Sequence, residues 1–88
     1  MMWELDVKDL NVVITGASSG IGLAISKAFL QKDASVMNWD IRKTAEVTQL
    51  MDTYRNSYQY LEVDVTDESS VKKAVEAAPA RVDVLVNN

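Results

Sequence analysis

Four short apolar runs alternate with three segments of helical period along these 88 residues, and that alternation restricts the fold more than any single motif does. Residues 10–14 read as a buried strand, and Ile21, Ile25, Ala28 and Phe29 then recur at helical spacing through Gln31. Residues 35–39 form a second strand ending at Asp40, followed by a helix whose inner face is Val47, Leu50, Met51 and Tyr54. Residues 59–63 are a third strand. Thr66 is placed to cap a third helix, with Asp67 and Glu68 near its positive end and Val71, Ala74, Val75 and Ala78 along its buried stripe, until Pro79 stops it. Residues 82–86 make a fourth strand. Such a series predicts right-handed βαβ crossovers: an α/β, Rossmann-type doubly wound parallel sheet of four strands in the order 3-2-1-4, with helices on both faces. No repeat, linker or low-complexity segment divides the chain, so residues 1–88 are expected to be part of a single domain.

All three glycines fall between the first strand and the first helix, in the run Thr15-Gly16-Ala17-Ser18-Ser19-Gly20-Ile21-Gly22. Lacking a Cβ, glycine accepts positive φ and lets backbone N–H groups approach a ligand closely. The helix that follows presents unpaired N–H groups and the positive end of its dipole to the same place, which suits a phosphate. Gly22 would let the helix lie close on the strand or on a pyrophosphate. Ser18 and Ser19 supply hydroxyls that can cap the helix or reach the ligand. In a sheet of order 3-2-1-4 the ligand crevice opens where the order reverses, at the carboxyl ends of strands 1 and 4. The glycine run follows strand 1 and Asn87-Asn88 follows strand 4, so both features converge on one crevice.

Charge and composition remove other classes. A net charge of -4 with scattered Lys and Arg offers no footprint for nucleic acid, and no apolar run is long enough to cross a bilayer, so a cytoplasmic, soluble protein is expected. With no cysteine and no histidine there is no thiolate metal site, no disulfide and no imidazole base. A reducing cytosol is compatible with that, and the Met1-Met2 start shows no secretory signal. A domain this short buries only roughly 60% of its unfolded surface, so something else is expected to cover it.

The glycine spacing G-x-x-x-G-x-G differs from G-x-G-x-x-G and lacks the Lys of a P-loop. Together with Asp40 at the end of strand 2, Asp64-Val65-Thr66-Asp67 after strand 3 and Leu85-Val86-Asn87-Asn88 at strand 4, it closely resembles the N-terminal half of a short-chain dehydrogenase/reductase, over residues 9–88. The resemblance implies a nicotinamide cofactor held by Gly16, Ser18, Ser19, Gly20, Ile21, Gly22, Asp40, Asp64, Val65, Asn87 and Asn88. Asp40 corresponds to the acidic residue that binds both hydroxyls of the adenosine ribose. A carboxylate there accepts from a diol and repels a 2′-phosphate, so NAD is expected over NADP. Ser19 and Ile41 stand where NADP-preferring relatives often carry a basic residue, whereas Arg42 could stack on adenine or swing toward a phosphate. Asp64 and the Val65 N–H would pair with the adenine edge. Asn87 and Asn88 match the first half of an Asn-Asn-Ala-Gly motif that steadies the sheet and lines the cofactor.

Plainer roles compete with these. Asp40 could be a strand-end or capping aspartate, but its place some 18 residues beyond Gly22 favours the ribose role. Asp67 is better read as a helix initiator, and Asp64 is open between the two roles. Trp3, Trp39 and the tyrosines are read as packing or surface residues, and Lys72-Lys73 as a solvated face. Asp9 and Asp33 occupy positions where relatives often have glycine, and aspartate tolerates the left-handed region at some cost. The centre of strand 2, Met37-Asn38-Trp39, is unusually polar and bulky.

Catalysis in the family uses a Ser and a Tyr-x-x-x-Lys pair, with the Tyr as general acid or base while hydride moves between nicotinamide and substrate. Four positions after Tyr54, Tyr58 and Tyr60 stand Tyr58, Glu62 and Asp64, so no catalytic residue is assigned. The expectation is a cofactor half-site of a longer NAD(H)-dependent oxidoreductase, a homo-oligomer interconverting a small alcohol and a carbonyl, with the 88 residues inactive alone. The alternative is a non-catalytic nucleotide-binding half-domain or a structural fragment.

Overall fold

The structure, a computed structural model, describes residues 6–88; Trp3 lies outside them. Its elements run β1 Asn11–Thr15, α1 Gly20–Gln31, β2 Ser35–Asp40, α2 Ala45–Thr53, β3 Tyr58–Glu62, α3 Glu68–Ala77 and β4 Val84–Val86. The four strands are all parallel in the order β3-β2-β1-β4, as the alternation predicts. Register pairs Val12 with Val36 and with Val84, so the loops after all four strands emerge at one end.

Period-2 alternation along β1 and β2 sorts the core onto two faces. Val12, Ile14, Val36 and Tyr58 pack under α1 and α2 with Leu30, Ala34, Val47 and Leu50. Val13, Met37, Trp39 and Val63 pack under α3 with Ala74. Each fully buried aliphatic side chain of this kind contributes roughly 1.5–3 kcal/mol relative to exposure.

Two helix faces, one helix cap and one strand length differ from the periodic reading. The buried line of α1 is Gly22, Ser26 and Leu30, while Ile21 is 72% exposed. Small residues win because α1 lies very close to the turn it follows. Ser26 fits there by donating its hydroxyl to the Gly22 carbonyl of its own helix at 3.0 Å. On α3, Ala74 is buried and Val75 is exposed. The cap of α3 is Asp67, whose carboxylate accepts from the Ser69 N–H, and not Thr66, which is held by Asp64 instead. β4 is shorter than expected, with Val82 outside it and exposed.

At the amino ends, Asp9 and Asp33 adopt φ of 66° and 67°, and the Asp9 N–H donates to the Asp33 carbonyl at 3.0 Å. β4 is anchored there by Asp83, whose carboxylate accepts from the Asn11 N–H at 2.8 Å and from Arg81 at 2.6 Å. Within β2, Trp39 carries an indole N–H that is buried without an acceptor among the described residues. Asn38 is fully buried with every donor of its amide in use.

Candidate nucleotide-binding site

The turn between β1 and α1 is shaped by positive φ at Gly16 (65°) and Gly20 (61°). Three successive N–H groups of this turn are taken by β2. The Gly16 N–H donates to the Trp39 carbonyl at 2.8 Å, the Ala17 N–H to Asn38 Oδ1 at 3.0 Å and the Ser18 N–H to Asp40 Oδ2 at 3.0 Å. Those groups form the scaffold of the turn, so the donors facing a ligand are left to the start of α1. Ser19 is the N-cap in extended backbone, its side chain makes no capping bond, and the first turn of α1 holds no acidic residue. An N-terminus with neither a side-chain cap nor a carboxylate of its own suits an exogenous anion.

The Ser18 hydroxyl does not cap α1. It is buried, donates to the Arg42 carbonyl and accepts from Asn38 Nδ2. The Ser18 carbonyl in turn accepts from Thr44 Oγ1 at 2.7 Å. Ser18 thereby ties the glycine turn to the loop after β2. Gly20 is the opposite case, since a Cβ built on it meets nothing within 4 Å. Gly22 is crowded: a Cβ there would lie 2.7 Å from the Gly16 carbonyl oxygen and 2.7 Å from Asn88 Nδ2.

β4 closes the other side. The Asn88 N–H donates to Thr15 Oγ1 at 3.0 Å, and Asn88 Nδ2 donates to the Gly16 carbonyl at 3.0 Å. The Thr15 hydroxyl in turn points its proton between the Val86 carbonyl and Asn87 Oδ1. Both asparagines therefore sit against the glycine turn.

Asp40 ends β2 half-buried, with Oδ2 on the Ser18 N–H and Oδ1 on the Ile41 N–H at 2.7 Å. Partial burial acts to raise its pKa, but these backbone donors outweigh it and hold the carboxyl below its ordinary 3.8. A depressed carboxylate stabilises the fold fully above its unfolded value and loses that contribution as pH falls through the folded one. The glycine turn is therefore expected to loosen only below about pH 3.8. Amide NMR of Ser18 and Ile41 checks this: their shifts should move together in that range, and movement centred above it would contradict the assignment.

Asp64, after β3, accepts at Oδ1 from both the hydroxyl and the N–H of Thr66, and these two bonds lower its pKa. It thus shapes the approach to α3, with Oδ2 outside those bonds. Val65 beside it is 58% exposed. Ile41, not counted among the site residues in the sequence reading, is 64% exposed at the same end of the sheet as Ile21 and Val65. Its signal in the sequence was an aliphatic side chain directly after a strand-end carboxylate, where a solvated loop has no use for one. A cavity of about 290 Å³ opens at the opposite, amino end, lined by uncharged groups such as Asn11, Ser35, Asn56 and Gln59, and touches none of these residues. Among the described residues no helix is long and apolar enough to cross a membrane.

A parallel sheet ordered 3-2-1-4, with a glycine turn at its switch point and a charged carboxylate at the tip of β2, is a Rossmann-type fold of the doubly wound class. Residues 10–88 match the family model described as short chain dehydrogenase, and the chain belongs to that oxidoreductase family. It is 40% identical over 81 residues to the NADPH-dependent 3-dehydrocapnine reductase of Ornithobacterium rhinotracheale, an alignment covering 86% of this chain and 28% of the relative. Among solved structures, a short-chain dehydrogenase from Streptomyces avermitilis superposes with a TM-score of 0.81 at 36% identity, covering 92% of this chain and 31% of that one. The 3-ketoacyl-(acyl-carrier-protein) reductase from Brucella melitensis, complexed with NADH, gives 0.79 at 30% identity, covering 90% and 33%. The chain thus spans about a third or less of the length of these relatives.

Proposed function

We propose that this chain is the NAD-binding part of an oxidoreductase that interconverts a small alcohol and a carbonyl. The observation that carries the reading is the 3.0 Å bond from the Ser18 N–H to Asp40 Oδ2, which fixes a charged carboxylate directly to the phosphate turn. The pyrophosphate would lie over Gly20, where the backbone is open, against the N–H groups that begin α1. Asp40 retains lone pairs on both oxygens for the two ribose hydroxyls, and its charge disfavours a 2′-phosphate. Ile41 and Val65 offer apolar surface to the adenine, and Asp64 and the Val65 N–H hydrogen-bond its edge. Asn87 and Asn88 line the ribose side of the turn. When bound, the nicotinamide supplies hydride transfer; this chain's residues bind and orient it.

No Tyr-x-x-x-Lys pair occurs in the 88 residues, so they are inactive by themselves and the catalytic groups belong to further sequence of the protein. Leu85, 63% exposed on β4, and Val75 favour burial against more protein, in keeping with a homo-oligomer. Titration calorimetry tests the cofactor reading: NAD and ADP-ribose should both bind and NADP should bind more weakly. Absence of heat with NAD and ADP-ribose at about millimolar concentration, far weaker than an ordinary cofactor site, would overturn it.

A further inference from the structure

Asn38 is an anomaly in a buried parallel strand, and its amide explains why it is there. The Ala17 N–H can only donate, so the atom facing it must be the amide oxygen, which leaves the NH₂ group to donate to Ser18 Oγ at 3.1 Å and to Tyr58 Oη at 3.1 Å. Ser18 Oγ accepts that bond because its own proton is on the Arg42 carbonyl. The direction of each hydrogen bond to the amide is thus fixed by the next. Tyr58, itself 3% exposed, braces the amide from β3, and burial pushes its phenol pKa up, which keeps it neutral. Thr44 completes the knot by holding the Ser18 carbonyl from the loop after β2.

We propose that Asn38 is a positioning residue for cofactor choice: by fixing Ala17 and Ser18, it aims the Asp40 carboxylate that the Ser18 N–H holds. The proposal rests on the NAD reading above and deepens it. The glycine turn and the ribose-reading loop are separate pieces of chain; the Gly16–Trp39, Ser18–Asp40, Ser18–Arg42 and Thr44–Ser18 bonds join them, and the amide adds the buried bonds that fix the Ala17 N–H and the Ser18 hydroxyl in one arrangement. Asp40 discriminates between cofactors only while its two oxygens face a diol; once Ser18 drifts, the same carboxylate turns and both its grip on the diol and its repulsion of a 2′-phosphate decline. A merely structural asparagine would instead lower the folded fraction and weaken NAD and NADP by the same factor.

The ratio of the NAD to the NADP dissociation constants separates these outcomes. It is measured on the protein as its gene encodes it, for the unmodified form, Asn38→Leu and Ser18→Ala, with circular dichroism melts alongside. Asn38→Leu keeps volume and removes all three bonds; Ser18→Ala removes only the hydroxyl and serves where the first variant fails to fold. Both are expected to reduce the preference for NAD about tenfold, the size of one hydrogen bond to a charged group. A folded Ser18→Ala protein with its preference unchanged within about twofold, well under that size, would overturn the positioning role while leaving the NAD reading intact. An unmodified protein that binds NAD no better than NADP overturns the cofactor reading itself, and the proposal with it.

Discussion

Gly22→Ala is expected to remove nucleotide binding and to destabilise the fold by about 1–3 kcal/mol, a melting midpoint lowered by at least about 4 °C for a domain of this size. A methyl at this position meets the Gly16 carbonyl oxygen at 2.7 Å, Asn88 Nδ2 at 2.7 Å and the Ala17 Cα at 3.0 Å. Two of those three neighbours are backbone, so they cannot rotate away. Either α1 lifts from β1 or the glycine turn deforms, and both displace the N–H groups at the start of the helix. Gly20→Ala is the informative contrast. Its methyl meets no atom, so the loss of stability is only the roughly 1–2 kcal/mol of holding alanine at φ of 61°. It should nonetheless impair binding, because the methyl fills the open space over which a phosphate would lie. Thermal melts and NAD titrations of both variants check this, and a Gly22→Ala protein that melts and binds like the parent would contradict the crowding.

Asp40→Ala should weaken NAD about 10- to 100-fold, the range expected for hydrogen bonds to an ionised group, and should weaken NADP far less. Two effects are superposed. Removing the carboxylate also leaves the Ser18 N–H without its acceptor, which harms both cofactors equally. The ribose contact harms NAD alone, and the vanished negative charge favours the 2′-phosphate of NADP. Arg42, exposed on the same loop, is then free to serve that phosphate. The difference between the two losses is therefore the diagnostic quantity. Equal losses measured by calorimetry would remove the ribose assignment while retaining the structural role of the carboxylate.

The topology was legible in the sequence because parallel βαβ units declare themselves through local period, and each of the four strands and three helices falls where its period places it, within a residue or two. Asn87 and Asn88 were legible too, since strand order alone brings the ends of β1 and β4 together. The face of α1 was legible in part: apolarity picked out Ile25 and Phe29, which pack against the core, but also Ile21, which is exposed, whereas close approach selected Gly22 and Ser26 for the buried line, and period cannot weigh proximity against hydrophobicity. Val75 misled for a related reason: a ten-residue helix lying on one side of a small sheet buries a narrow stripe around Ala74. The role of Asn38 was invisible because its partners lie 20 and 21 residues away in two different directions along the chain. A polar residue inside a buried strand signalled only that some partner must exist.

The bond from Asn88 to the Gly16 carbonyl spans 72 positions of sequence. During synthesis at roughly 5–20 residues per second, the residue that closes the glycine turn emerges about 4–14 seconds after the turn itself. For that interval β1, β2 and α1 can assemble and the β2 side of the turn can form, but its other wall is missing. A nucleotide bound as proposed would therefore meet a complete cradle only once β4 has docked, which would make the cofactor a late stabiliser of the finished sheet and not a template for its first strands.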